Sequence, residues 1–353
     1  MWRFKSSPCN IRMALNMRSQ TRQFVFALLL TAASLSAAQT YTVTDLGVLP
    51  GGSYSGAKAI NVSGEITGYA YSNSTDADVM LYRNGAMTSL GTLGGKTGIG
   101  NGINKSGQTA GYSTDASGTY RAFRSTGSIL TDIGDLGGGS AVAYAINDAG
   151  QVVGSAVTAD GSNHPFLYSA GQMVDLGTLG SPNGNAWWNS AQGVNNFGVV
   201  TGTSYDAHGN FFGFTWSNGV MTKLGTLGGS WSQAYAINNK GQVTGLAYTK
   251  NGSAHAFLAT KGVLKDLGTI DGPFGTSWGF GINDSGVVVG QATYQGTYHA
   301  FVYIGGKIMD LNKLIPAGSG WVLLSANGIN SAGQIAGEGL HNGKEHGFLL
   351  TVK

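Results

Sequence analysis

Apolar and polar positions alternate along this chain in short bursts, each stopped by glycine, asparagine or serine. A two-residue period broken by turn formers predicts β-strands. In one representative stretch the pattern predicts strands over Ala143–Asn147, Gln151–Val157, Pro165–Ser169 and Met173–Leu179, with an Ala170-Gly171 turn before the last. Four short antiparallel strands thus fill about 43 residues.

The stretch recurs. A phrase close to D-L-G-T-L-G-G places its leucine or isoleucine at Leu46, Leu90, Ile133, Leu176, Leu224, Leu267 and Leu311, spaced 43 to 48 residues apart. A second phrase, A-x-A-I-N-x-x-G-Q-V-x-G, puts an asparagine in every unit, at Asn61, Asn104, Asn147, Asn195, Asn238, Asn283 and Asn330, with glycine three residues later. Asparagine folds its side chain onto the backbone two residues on, and glycine accepts positive φ, so N-x-x-G predicts a tight hairpin turn. Seven units of this length with four strands each predict an all-β fold, a seven-bladed β-propeller of four-stranded antiparallel blades. A solenoid would need capping repeats, and none is visible. The ends complement each other instead: the seventh unit lacks a fourth strand, and Tyr41–Leu49 is an orphan fourth strand at the other end. The N-terminal strand is therefore expected to close the last blade.

The first strand of each unit carries only Ala or Gly at two positions, such as Ala57/Ala59, Gly100/Gly102 and Ala143/Ala145, which suits the crowded innermost strand. Ile60, Ile103, Ile146, Val194, Ile237, Ile282 and Ile329 are assigned to packing between blades. With His255-Ala256-Phe257 and His299-Ala300-Phe301, variants beginning at His164 and His346, and the two phrases above, residues 41–353 resemble the bacterial extracellular repeat proteins named for an H-A-F tripeptide. The resemblance implies export and a repeat fold, and brings no activity with it.

Composition agrees. Glycine supplies 59 of 353 residues, more than double its usual share of roughly 7%, and charged residues stand at 10% where about 25% is ordinary. With 42% apolar residues the chain can bury a core, which argues against disorder.

Residues 1–38 differ from the rest: Arg3, Lys5, Arg12, Arg18 and Arg22 precede an apolar run from Phe24 to Ala33 and a small-residue end at Ser36-Ala37-Ala38. This is the pattern of a secretory signal peptide, with 39–353 as the mature domain. The run is shorter than the roughly 20 residues of a membrane span. A secreted or periplasmic product with no membrane span after cleavage is expected. The single Cys9 would leave with the leader, so no disulfide or thiolate ligand remains. Removing the five basic residues leaves 15 basic against 17 acidic, a net charge of −2, and a nucleic-acid partner loses its main support.

The tripeptide histidine has the chemistry of a metal ligand, but its copies lie in different blades and are not expected to converge on one ion. Eleven residues after each stands an aspartate: His164/Asp175, His255/Asp266, His299/Asp310 and Arg121/Asp132, with His346 meeting Asp45 across the proposed closure. Asp78/Ser89 and Phe212/Lys223 occupy these places in the other two units. An odd separation across a hairpin puts both residues on one face, so a structural hydrogen bond is expected, with no metal and no cofactor. The string G-x-S-x-G occurs once, at Gly275–Gly279, but with no helix predicted after it this is not a nucleophile elbow, and no H-E-x-x-H, phosphate loop or EF-hand string occurs. Asp76, Asp115, Asp206, Asp271 and Glu345 sit in predicted loops and could supply a carboxylate pair, although solvated turn residues are the simpler expectation.

Length variation is confined to one loop class: from the D-L-G leucine to the asparagine the count runs from 14 to 19 residues. Those loops share a propeller face with the second-to-third-strand loops, and both tight turns lie on the other. Trp187, Trp188, Trp231, Trp278 and Trp321 fall in the variable loops, with Tyr54 and Phe274. Aromatic rings interleaved with amides suit stacking on sugars or anchoring a partner. Trp188, Trp231 and Tyr54, each seven residues before its asparagine, could equally plug the space between blades. The sequence therefore points to an exported, monomeric, non-enzymatic binding module whose long-loop face takes a glycan or a protein. The alternative is a polysaccharide hydrolase or lyase with acids from the same loops, and a scaffold for assembly is a third.

Overall fold

The computed structural model describes residues 39–181 and 188–353. The leader and Trp187 lie outside the described residues. The fold is all-β, with one short 3-10 turn at Leu311–Lys313. Its unit is a sheet of four antiparallel strands in chain order: Gly137–Ile146, Val152–Thr158, Asn163–Ser169 and Gln172–Asp175 in the representative stretch. The same order recurs over 55–91, 94–132, 190–223, 228–266 and 277–310. The first two of all these sheets are joined by a single parallel bridge, Ala77 to Thr97. The sheet at the C-terminal end is composite. Trp321–Ile329, Ile335–His341 and Lys344–Val352 pair in order, and Tyr41–Asp45 adds as the outer strand, Tyr41 opposite Val352 and Asp45 opposite Phe348.

The outer strands are shorter than predicted. Gln172–Asp175 ends where Met173–Leu179 was expected, because the Asp175 carboxylate accepts a 2.7 Å hydrogen bond from the Gly177 N–H and turns the chain out of the sheet. Asp45, Asp132 and Asp266 do the same to Gly47, Gly134 and Gly268, which ends the N-terminal strand at Asp45 rather than Leu49. The D-L-G phrase encodes a turn with a buried leucine: Leu46, Leu176, Leu224, Leu267 and Leu311 are all buried. At the hairpin before these strands, Ala170 (φ 50°) and Gly171 (φ 84°) are both left-handed, the two-residue turn that matches strand twist.

The core lies between sheets. The phenylalanine of the tripeptide is fully buried at Phe123, Phe166, Phe214, Phe257, Phe301 and Phe348, with Met80 in the corresponding place of the first sheet. Burying each such side chain contributes about 1.5–3 kcal/mol. One cluster joins Val153, Leu167 and Leu176 to Ala191, Val200 and Phe214 of the following sheet, and another joins Leu46, Ala57, Ile66 and Met80 to Ala336 and Leu349.

The repeated asparagines link the sheets. Each Oδ1 accepts from the N–H groups two and four residues on, which makes the predicted turn, as at Asn147 from Ala149 (3.1 Å) and Gln151 (3.0 Å). Each Nδ2 also donates to the main-chain carbonyl of the asparagine in the next sheet: Asn61 to Asn104, Asn104 to Asn147, Asn147 to Asn195, Asn195 to Asn238, Asn238 to Asn283 and Asn283 to Asn330. Asn330 donates in turn to Asn61, at 3.0 Å. A Cβ on Gly328 would lie 3.2 Å from the Ile60 N, so the last and first innermost strands are in close contact.

Candidate functional site

Every innermost strand carries a β-bulge, and the bulge builds the site. Ala57 pairs with Gly68 and Ala59 with Thr67, leaving Lys58 as an extra, unpaired residue. The same shift leaves Asn101, Tyr144, Gln192, Tyr235, Phe280 and Asn327 unpaired in the other sheets. Bulges re-aim side chains, and these residues all line one cavity of about 630 Å³. The glycine that ends Q-V-x-G is what permits the bulge: a Cβ on Gly68 would stand 1.9 Å from the Gly56 carbonyl oxygen. The signal was therefore in the sequence, as the variable x of A-x-A-I-N held between two small residues. Simple strand alternation hides it, because it makes the two small residues an ordinary same-face pair. The isoleucines assigned to packing between blades do join the hydrophobic clusters at Ile146, Val194 and Ile237, and they also form an apolar collar on this cavity.

The cavity wall is polar and aromatic. Lys58 Nζ is 2.6 Å from Glu338 Oε1, which also accepts from Asn327 Nδ2 at 3.1 Å. Asn101 donates to the Ala143 carbonyl, and the Tyr235 and Phe280 rings meet edge to face at 5.5 Å. Burial pushes the Tyr144 and Tyr235 phenols above their ordinary pKa, so both are neutral hydroxyls.

A cleft of about 610 Å³ opens from the same side chains on the long-loop side. Lys58, Asn101 and Tyr144 belong to both spaces, and Tyr54, Tyr69, Tyr71, Tyr112 and Glu345 are among the other residues that line the cleft. Tyr54 packs edge-on against Tyr71 at 5.6 Å, and Tyr69 against Tyr71 at 6.4 Å. Tyr69 is pushed well above its usual pKa by burial and then by the charges of Glu338 and Glu345. Phenols held neutral beside carboxylates, an ammonium and an amide can donate and accept while their faces stack.

The tryptophans occupy other places. Trp188 is 61% exposed and meets Phe211 edge-on at 6.4 Å, while Trp231 lies between Phe211 and Tyr248 at 6.0 and 4.5 Å. Trp278 pairs with Tyr298 and Trp321 with His341. Trp231, Trp278 and Trp321 lie within first strands of their sheets rather than in the predicted loops, and all four rings are braced by an aromatic ring from the second or third strand. Trp188 and Trp231 share one ladder; Trp278 and Trp321 stand apart from it and from each other. Among the described residues, Tyr54 is the one predicted binding residue that lines the cleft.

The histidine–aspartate pairs form as expected. His164 Nδ1 is 2.8 Å from Asp175, His255 is 2.9 Å from Asp266, His299 is 2.9 Å from Asp310, and His346 is 2.9 Å from Asp45. Arg121 differs. It lies 3.9 Å from Asp132 and makes its close contact, 3.0 Å, with Asp115, because the longer guanidinium reaches back to the turn that precedes it. The two exceptional units also couple: Ser89 donates to Asp78 at 2.6 Å, and Lys223 lies 4.2 Å over the Phe212 ring. A histidine outside the tripeptide, His341, which the sequence reading did not single out, joins His346 on Asp45.

Of the candidate loop acids, Asp115 and Asp206 cap their own turns, the Asp76 carboxylate accepts from the Asn73 amide and the Thr75 hydroxyl, and Asp271 accepts from the Gln295 N–H. Glu345 alone reaches the cleft, accompanied by the unpredicted Glu338 beside Tyr69. No helix among the described residues is long and apolar enough to cross a membrane.

No protein-family model matches the chain, and no curated protein matches it in sequence. Solved structures match its fold. The β-propeller domain of the trilobed protease from Pyrococcus furiosus is similar at a TM-score of 0.54 and 9% identity, over 89% of this chain and 97% of that one. The extracellular domain of a putative hybrid two-component system from B. thetaiotaomicron gives 0.51 at 10% identity, over 89% and 40%. A puromycin-hydrolyzing peptidase from Mycobacterium tuberculosis gives 0.51 at 11%, over 82% and 48%. The fold is thereby defined as a β-propeller. At such identity the likeness carries no activity across.

Proposed function

We propose that this protein is an exported, non-enzymatic binding module that takes a glycan in the tyrosine cleft. It is a seven-bladed propeller closed by its own N-terminal strand. The pairing of Tyr41–Asp45 with Lys344–Val352 supports the closure, as does the Asn330-to-Asn61 hydrogen bond. The leader pattern and the H-A-F resemblance support export.

One observation carries the glycan reading: five tyrosines, a lysine, an asparagine and a glutamate line one open cleft continuous with the central cavity. Sugar rings present a C–H face for stacking and hydroxyls for the polar partners, and this wall offers both. The test is calorimetric titration of the purified protein with soluble polysaccharides and peptidoglycan fragments. Tyr71→Ala removes the central ring of the Tyr54–Tyr71–Tyr69 group and is expected to weaken binding at least about tenfold, which corresponds to ~1.4 kcal/mol. Trp278→Ala, outside the cleft, is expected to leave it unchanged. Absence of heat with every glycan, or equal loss in both variants, would refute the assignment.

A second reading, polysaccharide cleavage, is favoured by Glu338 and Glu345 flanking Tyr69. Two features support binding over cleavage. Glu338 is committed to Lys58 and Asn327, and the raised pKa of Tyr69 keeps its phenol protonated and unavailable as a base. Reducing ends released from a bound polysaccharide, and lost in Glu345→Gln, would establish the enzyme instead.

A further inference from the structure

One cluster away from the cleft has the chemistry of metal ligands. In the composite sheet His341 stands opposite Lys344, His346 opposite Gly339, and Asp45 opposite Phe348. The three residues therefore occupy successive diagonal positions across three adjacent strands, on one sheet face. Their donor atoms all lie within 4.8 Å of one another. His341 Nδ1 is 2.8 Å from Asp45 Oδ2, and His346 Nδ1 is 2.9 and 3.0 Å from the two carboxylate oxygens.

We propose that Asp45, His341 and His346 form a three-donor site for a divalent cation of the zinc class, which ties the N-terminal strand to the C-terminal hairpin. Around a tetrahedral ion with bonds of about 2.0–2.1 Å, donor atoms sit about 3.3 Å apart. The histidine–aspartate separations need to open by only a few tenths of an ångström, and the two imidazole donors already lie within 4.8 Å of each other. Each neutral imidazole hands its Nδ1 proton to solvent and takes one at Nε2, so both Nδ1 lone pairs become available with no net change in charge. Two imidazoles and one carboxylate select zinc, cobalt or nickel over calcium and magnesium, which take oxygen ligands.

The surroundings hold the donors in place. The Gly47 N–H donates to Asp45 Oδ1 at 2.8 Å and leaves Oδ2 towards the histidines. Trp321 stacks on His341 with centroids 4.7 Å apart and planes within 2°, and itself rests edge-on against Phe348. Such outer contacts fix ligand rings before the metal arrives. The side chains are 15–29% exposed, so an ion can reach them and a fourth position stays open to water. At the matching hairpin of the preceding sheet Tyr294 packs on His299, so a side chain here addresses the histidine there too, but without a second imidazole.

The test uses chelator-treated protein titrated with Zn²⁺ by calorimetry and with Co²⁺ by visible absorption. One equivalent is expected, with four-coordinate Co²⁺ bands and a raised melting temperature. At free metal 100 times Kd, the folded-to-unfolded ratio rises about 100-fold. His341→Asn keeps a hydrogen-bonding side chain but no imidazole and is expected to lose the equivalent and the thermal shift. His164→Asn, which breaks a pair with no third donor, is expected to keep both. Because unfolding would also abolish binding, Ni²⁺ quenching of tryptophan emission provides a second readout. It is expected in the wild type, reversed by chelator, and absent in Trp321→Phe. No stoichiometric Zn²⁺ uptake by the wild type, the same uptake and shift in His341→Asn, or unchanged quenching in Trp321→Phe would overturn the site.

Discussion

The asparagine circuit gives a prediction that can be worked from the structure. Asn147 makes four hydrogen bonds: Oδ1 accepts from Ala149 and Gln151, and Nδ2 donates to Gln151 Oε1 at 2.6 Å and to the Asn195 carbonyl at 2.9 Å. At a net ~1 kcal/mol each these contribute ~4 kcal/mol. Asn147→Ala loses all four. Water regains part at the exposed Ala149 N–H, and the Asn195 carbonyl keeps its bond from Gly198, so a cost of about 3 kcal/mol is expected. Asn330 has the same four bonds, to Ala332, twice to Gln334, and to Asn61. If the circuit is continuous, Asn330→Ala costs the same. Were the last and first sheets not linked in solution, it would cost ~1 kcal/mol less. Urea unfolding followed by both tryptophan emission and far-ultraviolet circular dichroism measures the difference, and coincident curves license a two-state treatment. A loss below ~1 kcal/mol at Asn147 would refute the structural weight given to the circuit.

Three further outcomes follow. Gly68→Ala places a Cβ 1.9 Å from the Gly56 carbonyl and is expected to cost ~3 kcal/mol, read as a lowered urea midpoint; a neutral result would mean the bulge can relax. Deleting Tyr41–Asp45 removes the fully buried Tyr41 and a whole ladder of hydrogen bonds; a loss of at least ~4 kcal/mol and an exposed sheet edge are expected, and an unchanged melting temperature would argue against closure by this strand. Burial raises the pKa of Asp266, but the hydrogen bonds from His255 and the Gly268 N–H outweigh it, and the net shift is downward. A depressed carboxylate stabilises the fold above its unfolded pKa of about 4 and loses that contribution as pH falls through the folded value. Melting temperature should therefore drop on acidification below about pH 4, and the drop should be smaller in Asp266→Asn.

The repeat period, the all-β class, the N-x-x-G turns and the histidine–aspartate pairs were legible in the sequence, because each depends on residues close in the chain or on a phrase copied at fixed spacing. His164 and Asp175 are eleven residues apart across one hairpin, and no tertiary information is needed to bring them together. The second role of the asparagines was not legible: the Nδ2 donor reaches a carbonyl 43 to 48 residues away, which only the angle between neighbouring sheets can set. The tyrosine cleft was not legible for a related reason. Tryptophans are conspicuous in sequence, whereas the cleft is lined by tyrosines together with Lys58, Asn101 and Tyr144, the extra residues of three bulges. A bulge arises where a glycine lets an opposing carbonyl approach, so one inserted residue turns its side chain inward while its neighbours keep their pairing. His341 shows the same division. Its place five residues before His346 is in the sequence, but its meeting with Asp45, 296 residues away, exists only because the first strand of the chain lies beside the last.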